Sequence, residues 1–309
     1  EKYSNNHTGA IDYYLSTGYA QKQLGYIPSG GYNRFTISDL DNNIWLSGST
    51  RMAGAIDSIV LNGIEYINCW DHGRELQMAV TTSYGECYNP TEAGGKNDSQ
   101  QTTTSSIIQV LQINDNKTLV TSNLPAFWMP PGSSEPGCGN AVNTQVVSGY
   151  QMNKTVSIGY NGISKVIHYQ GKVLIPEDVS GTQIESPTAY LNGNFNTFYS
   201  FNPENNNLTK IDINDNTGGH AGETIPVIIA TNDGTSAMGV LPNFRPQRGF
   251  ALFNFVGLEP ESDGTSKWSV VSYFTNVSKG TIFSFENFLC IGSISEVSNC
   301  IQQIHKMLA

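Results

Sequence analysis

Short apolar runs separated by turn signals constrain the fold of this chain more than any other feature. The clearest example runs from Ile56–Leu61 through Asn62-Gly63 to Ile64–Asn68. An Asn-Gly pair between two apolar runs is the strongest short-range signal for a β-hairpin. Further candidate strands follow along the chain at Ile107–Ile113, Thr118–Ser122, Gln145–Tyr150, Val156–Tyr160, Val166–Ile175, Thr188–Tyr190, Val227–Thr231, Ala237–Leu241, Gly249–Phe255, Trp268–Thr275 and Ile282–Cys290. The pattern predicts an all-β fold.

One helix is predicted, at the C-terminus. Ser293 and Glu296 form an S-x-x-E capping box. Apolar residues then recur at spacings of three and four, which gives the helix one apolar face: Ile294, Val297, Ile301, Ile304 and Leu308. We expect this helix, residues 293–308, to pack on the last strand in a structural role.

The length of 309 residues suits one large β-domain. We predict a single domain over 1–309, with the β-core at 46–292 and an N-terminal segment, 1–45, whose packing stays open. Two long loops, Tyr88–Ser106 and Pro130–Asn143, interrupt the core. Loops of this length in a compact domain are usually functional or mobile.

The charge of the chain excludes several kinds of partner. The net charge is −10, whereas nucleic acid and anionic membranes both require a basic surface. Neutral sugars remain possible partners. The alternative is that the negative charge only keeps the protein soluble. No apolar run approaches the roughly 20 residues of a transmembrane helix. The chain shows no signal peptide, and we expect a secreted, extracellular protein from which that peptide has been removed.

The chain has five cysteines, whose pairing depends on whether its compartment is oxidising or reducing. No C-x-x-C pair is present, so a zinc site is not indicated. In an oxidising compartment we expect two disulfides, Cys87–Cys138 and Cys290–Cys300, with Cys69 left over. The alternative is five buried thiols.

Several motifs, taken in order, resemble those of one superfamily. They are Gly54–Asn68, Asp71–Gln77, Tyr88–Gly95, Leu124–Trp128 and Ile282–Val297. Together they resemble poorly characterised secreted bacterial proteins of the galactose-mutarotase-like, or β-supersandwich, superfamily. The resemblance implies a large antiparallel β-sandwich with one C-terminal helix and a carbohydrate-related function. Aldose mutarotases use a His and a Glu in a defined sequence context, and that pair is not identified here.

The densest polar cluster follows the first hairpin, at Asp71-His72-Gly73-Arg74-Glu75. The guanidinium of Arg74 offers a rigid fork of donors for carboxylates or sugar hydroxyls. A structural ion pair that holds the following loop is the alternative. The imidazole of His72 could act as a general acid or base. Glu86 and Glu92 could supply the carboxylates that glycoside hydrolysis uses. The candidate catalytic residues are therefore His72, Arg74, Glu86 and Glu92.

Aromatic and polar residues near this cluster are candidate ligand contacts. Trp70 and Trp128 are the predicted stacking platforms for sugar rings, whereas Trp268, in an apparent strand, is predicted to be core. The remaining candidate contacts are Asp71, Tyr88, Asn89 and His220.

The run from Asp212 to Glu223 is a weak calcium candidate. Asp212, Asn214, Asn216 and Glu223 match EF-hand spacing, but Thr217 occupies the position that requires Gly. An Asx-rich turn is the alternative. No other metal or cofactor is predicted.

Two functions follow as hypotheses. The first is a secreted carbohydrate-binding or carbohydrate-active protein; if it is an enzyme, the classes are glycoside hydrolase, lyase or sugar epimerase. The second is a non-catalytic secreted interaction protein that binds a protein partner through its two long loops. No G-x-S-x-G, H-E-x-x-H, P-loop or dinucleotide motif is present.

Overall fold

Two antiparallel sheets carry most of the strands in this computed structural model, which describes residues 33–98, 104–213, 219–257 and 264–309. The larger sheet has the order β1 (Arg34–Asp39), β2 (Ile44–Ser49), β3 (Ile56–Leu61), β5 (Leu76–Thr82), β14 (Val179–Asn192), β21 (Thr265–Val277), β20 (Phe250–Phe255) and β17 (Gly219–Glu223), with the short strands β4 (Ile64–Glu65), β6 (Pro90–Thr91) and β9 (Ala126–Phe127) beside it.

The second sheet has nine strands. Their order is β16 (Asn207–Ile211), β15 (Phe195–Asn202), β18 (Val227–Thr231), β19 (Ala237–Pro242), β22 (Ile282–Gly292), β13 (Ile163–Leu174), β12 (Gln151–Tyr160), β8 (Thr118–Leu124) and β7 (Ile107–Asp115). A separate small hairpin pairs β10 (Ser134–Glu135) with β11 (Gly139–Asn140).

Alternation along the strands builds the core between the sheets. Leu76, Met78 and Val80 of β5 are buried in it, as are Met152 and Val156 of β12. Since successive side chains point to opposite faces, Gln77 and Ala79 face outward from the larger sheet. Trp268 is fully buried, as predicted. The antiparallel all-β sandwich is confirmed.

The predicted first hairpin is confirmed at β3 and β4. Asn62 and Gly63 between them have φ values of 51° and 81°. Positive φ at both turn positions is the requirement of a type I′ turn, which Asn-Gly meets at low cost.

The predicted C-terminal helix, α1 (Ile294–Leu308), is confirmed with its capping box at Ser293 and Glu296. Its apolar face, with Val297, Ile301 and Ile304, packs on the outer face of the second sheet against Ile228 and Phe288. The predicted disulfide Cys290–Cys300 joins the helix to β22.

The larger sheet begins earlier than residue 46, the predicted start of the core. Strand β1 lies within the predicted N-terminal segment, with Phe35 and Ile37 buried in the sandwich. Its alternation is short, and Arg34 at its start is itself buried beside Asp57, with Nη1 3.1 Å from Oδ1. A charged residue at a buried position hides the strand signal.

Both predicted loops contain short strands. The first loop holds β6, and its residues 99–103 lie outside the described ranges; the second holds the β10–β11 hairpin. The predicted bond Cys87–Cys138 joins the second loop to Cys87, the residue directly before the first loop. Among the described residues, no helix is long and apolar enough to span a membrane.

Candidate functional site

A cleft of about 320 Å³ opens on the outer face of the larger sheet. Four neighbouring strands form its floor: β5, β14, β21 and β20. The floor side chains are Gln77, Ala79, Glu185, Thr188, Tyr190, Thr265, Lys267 and Phe255. The loops after β4 and β5 and the segment after β9 form the walls.

A bulge in β14 places Glu185 and Thr188 on the same face. Residues three apart on a regular strand point to opposite faces. Here Glu185 pairs with Ala79 and Thr188 with Gln77, so three residues of β14 span two of β5. This shift of register turns both side chains into the cleft.

An ion pair lies at the centre of the floor. Lys267 Nζ lies 3.0 Å from Glu185 Oε2, and both side chains are largely buried. Ser269 donates a hydrogen bond of 2.8 Å to the same carboxylate oxygen. Lys267 stands between Tyr190 and Phe253 in register, with Nζ 5.0 Å and 5.2 Å from their ring centroids. Two aromatic rings and one carboxylate thus hold the ammonium in place.

The pair keeps both charges at neutral pH. Burial works to raise the pKa of Glu185, but the Lys267 ammonium and the hydrogen bond from Ser269 hold that pKa below its ordinary value of 4.5. Burial works to lower the pKa of Lys267, but Glu185 and Tyr190 raise it above its ordinary value of 10.5. Burial raises the pKa of Tyr190, so its hydroxyl stays protonated. The floor therefore offers an ionised carboxylate, an ammonium and a phenol.

Trp128 forms one wall through a close contact with Gly73. A Cβ atom on Gly73 would lie 2.9 Å from Trp128 Cη2, so only glycine leaves room for the indole. The Trp128 backbone N–H donates to the Asn89 carbonyl at 2.8 Å, and its carbonyl accepts from Lys96 N–H at 2.9 Å. These contacts fix the ring at the edge of the cleft.

Two polar pairs complete the walls. Arg74 Nε lies 3.5 Å from Asp71 Oδ2, and both side chains are partly exposed. Asn89 Nδ2 donates to Glu86 Oε2 at 2.7 Å, next to the disulfide at Cys87. The structure therefore brings together five of the predicted site residues in one cleft: Asp71, Arg74, Glu86, Asn89 and Trp128.

Two predicted catalytic residues, His72 and Glu92, lie outside the cleft. His72 is buried, with Nε2 3.1 Å from the Arg51 carbonyl oxygen. Glu92 is buried in an ion pair with Lys154 and accepts the Met78 N–H at 2.8 Å. Burial in the sandwich turns both side chains away from the outer face where the cleft lies.

Three predicted ligand contacts also lie outside the cleft lining. Tyr88 donates its hydroxyl to Glu177 Oε1 at 2.7 Å. His220, on β17, has Nε2 2.8 Å from Glu223 Oε1. Trp70 precedes the cluster, and its N–H donates to Asn68 Oδ1 at 3.0 Å.

The calcium candidate divides between described and undescribed residues. Asn214 and Asn216 lie outside the described ranges. Asp212 is exposed, with Oδ1 3.8 Å from Lys210 Nζ, and Glu223 lies beside His220. Within the described ranges, no group of three or more His, Cys, Asp or Glu side chains could hold a metal ion.

The floor of the cleft was not predicted from the sequence. Glu185, Thr188 and Tyr190 lie on β14, whereas Lys267 lies about 80 residues later on β21 and joins them only through the β14–β21 pairing. Local charge patterns did not mark these residues, because charged side chains also occupy buried positions on strands, as Lys154 and Asp57 do.

Comparison with known structures identifies the architecture. A candidate aldose 1-epimerase from Escherichia coli K12 matches with a TM-score of 0.51 and 8% identity, over 85% of this chain and 100% of its own. A protein from Synechocystis sp. PCC 6803 matches with a TM-score of 0.50 and 10% identity, over 87% and 98%. This is the galactose-mutarotase-like β-sandwich. The predicted fold is therefore confirmed, and identities this low show the fold alone. No protein-family model matches the chain, and no curated protein matches it.

Proposed function

We propose that the cleft on the larger sheet binds a carbohydrate. The observation that carries the proposal is an aromatic wall, Trp128, beside a polar floor that includes Glu185, Tyr190 and Lys267. The apolar C–H face of a sugar ring packs on an indole, while its hydroxyls need donors and acceptors at the ring edge. One cleft offers both.

The charges of the cleft favour a sugar without phosphate groups. Each cation lies beside a carboxylate, Arg74 beside Asp71 and Lys267 beside Glu185. Glu86 adds a further negative charge. Each cation of the described lining thus has a carboxylate beside it, which does not favour a polyanion. The uncharged hydroxyls of a sugar can still form hydrogen bonds with ion-paired groups.

Two carboxylates in the cleft extend the proposal to chemistry on the sugar. Glu86 keeps the catalytic role that the sequence suggested for it, and Glu185 takes the place of Glu92. Glu185 is ionised at neutral pH and can accept a proton, while Glu86 is more exposed and held by Asn89. A glycoside hydrolase, a lyase or an epimerase could use such a pair.

Secretion is part of the proposal. Two disulfides support an oxidising, extracellular compartment, because disulfides rarely persist in the cytosol.

The name of the Escherichia coli neighbour, a candidate aldose 1-epimerase, supports a sugar ligand.

A protein partner is the second candidate, favoured by one observation. The segments around the Cys87–Cys138 bond expose apolar side chains, namely Tyr84, Val142 and Val146, and the Val142 N–H donates to the Cys87 carbonyl. Exposed apolar side chains in a polar setting are typical of protein contact surfaces. Val142→Ser should then weaken capture of the partner and leave sugar binding unchanged.

A glycan array tests the proposal. We expect binding to a subset of uncharged glycans, lost in Trp128→Ala and kept in Trp70→Ala, the matched change outside the cleft lining. An array on which no glycan is bound, or on which the two tryptophan variants behave alike, contradicts it.

A further inference from the structure

We propose that the second sheet carries a separate trough for an extended, uncharged polysaccharide chain. The trough has a volume of about 730 Å³ and lies on the outer face of β7, β8, β12, β13 and β22. Helix α1 covers the other part of this face. The trough belongs to the sheet opposite the cleft, so the two sites are independent.

Strand register lines up polar side chains across the trough. Ser122, Asn153, Lys172 and Ser284 stand directly opposite one another on four consecutive strands. The next outward-facing row holds Thr155 and Gln170 beside Glu286. At about 4.8 Å per strand, five strands give a trough roughly 19 Å long. That length suits a chain of several sugar units rather than a single ring.

Cross-strand hydrogen bonds hold both ends of the trough. At one end, Gln109 Oε1 accepts from Ser122 Oγ at 3.0 Å and from Gln151 Nε2 at 2.8 Å. At the other end, Asn243 Nδ2 donates to Glu286 Oε2 at 2.6 Å. Side chains already held in one arrangement lose little conformational entropy when a ligand binds.

Positive and negative side chains in the trough offset each other, which favours an uncharged ligand. Its outward-facing charges are one cation, Lys172, and one anion, Glu286. His168 Nε2 also lies 2.7 Å from Glu286 Oε1. A polyanion would need a basic surface, which this face lacks.

The hydrogen-bond donors and acceptors that line the trough favour a ligand with many hydroxyl groups. Carboxamides and hydroxyls supply both donors and acceptors along the trough, as rows of sugar hydroxyls require. A protein partner would need apolar or aromatic anchors at the centre of the contact. Val110 and Phe244 lie instead at opposite ends, and Val120, which stands opposite Thr155, is the one other partly exposed apolar side chain of the lining, with no aromatic ring beside it in its row.

Native gel electrophoresis through soluble polysaccharides tests the inference. The uncharged probes are xylan, galactomannan and hydroxyethyl cellulose; the anionic probes are heparin and polygalacturonate. The test variant is Asn153→Ala/Gln170→Ala, which removes two carboxamides on the outward face. The control is Ser157→Ala, at the next outward-facing position of β12 after Thr155.

We expect at least one uncharged polysaccharide to retard the protein. The apparent affinity should fall about tenfold in the double variant, and it should be unchanged in Ser157→Ala and in the cleft variant Trp128→Ala. Retardation lost in Trp128→Ala and kept in the double variant would assign all binding to the cleft and overturn the trough. Retardation by the anionic probes alone, or by none of the five, would also overturn it.

Discussion

The indole of Trp128 packs against the Cα of Gly73, with Cη2 and Cζ3 only 2.9 Å and 3.1 Å from the position of a Cβ atom there. The space, and not the backbone conformation, restricts this position to glycine. Because the contact joins the polar cluster at Asp71–Glu75 to the segment after β9, it sets the width of the proposed sugar site.

Gly73→Ala should therefore weaken sugar binding. The added methyl group pushes the indole from its place, at a cost of about 1 kcal/mol of stacking energy, or roughly fivefold in Kd. Isothermal titration with the sugar found on the array measures it. In the Trp128→Ala background, Gly73→Ala should not change the sugar affinity, because the indole that the added methyl group would displace is absent. Equal effects in both backgrounds contradict the contact.

The buried ion pair in the floor should contribute strongly to the stability of the protein. Lys267→Met leaves Glu185 without its cation and should lower the free energy of unfolding by about 3–5 kcal/mol. Lys165→Met is the matched control, since Lys165 and Glu296 form a partly exposed pair that should contribute about 1 kcal/mol or less. Urea denaturation at pH 7 compares the two.

The same pair predicts how the effect varies with pH. The wild-type pKa of Glu185 lies below its unfolded value of 4.5, so this stabilisation is present above pH 4.5 and is lost as the pH falls through the lowered value. In Lys267→Met, burial raises that pKa instead, and acid protonates the isolated carboxylate. The difference between wild type and variant should narrow from pH 7 to pH 4; a constant difference would show that Glu185 is not its source.

The two disulfides should differ in their effect on binding. Alkylation of the unreduced, denatured protein should modify one cysteine of five, Cys69. Cys87→Ser/Cys138→Ser should destabilise by about 4 kcal/mol and weaken sugar binding, because Cys87 lies between the cleft residues Glu86 and Asn89.

The remote disulfide is the control. Cys290→Ser/Cys300→Ser opens a shorter loop and should cost roughly 3 kcal/mol, with unchanged sugar affinity, because that bond lies under α1. Modification of all five cysteines, or equal loss of binding in both double variants, would contradict this assignment.

Arg74→Lys should separate a binding role from a structural one. The pair with Asp71 is partly exposed and 3.5 Å long, so the melting temperature should change by only a few degrees. Lysine keeps the charge and loses the planar fork of donors, and sugar affinity should fall about tenfold. Arg248→Lys, in the turn before β20 and outside the cleft lining, is the control. A large loss of stability would make Arg74 a structural residue, and no change in either property would remove it from the site.

Features set by neighbouring residues were predictable from the sequence. The turn at Asn62-Gly63, the capping box at Ser293 and the disulfide Cys290–Cys300 each depend on residues close in the chain. The wall of the cleft was predictable for the same reason, since Asp71 and Arg74 lie in one turn. Cys87–Cys138 was inferred from the turn-rich character of both loops.

Features set by the register of the sheets were not predictable from the sequence. Glu185 reaches the cleft through a bulge, and Lys267 reaches it through pairing with a strand about 80 residues away in sequence. Glu92 and His72 carry site-like chemistry, but they face the interior, where Glu92 pairs with Lys154. Local patterns do not show which face of a strand is solvated when its buried face also carries charges.

Equilibrium titration of the protein with its array-selected oligosaccharide, in wild type, Trp128→Ala and Trp70→Ala, tests the central claim most directly. The account predicts saturable binding to the wild type, a loss of affinity of at least about tenfold in Trp128→Ala, as expected for a central aromatic anchor, and full affinity in Trp70→Ala. Wild-type affinity in Trp128→Ala would contradict the claim that this cleft is the sugar site.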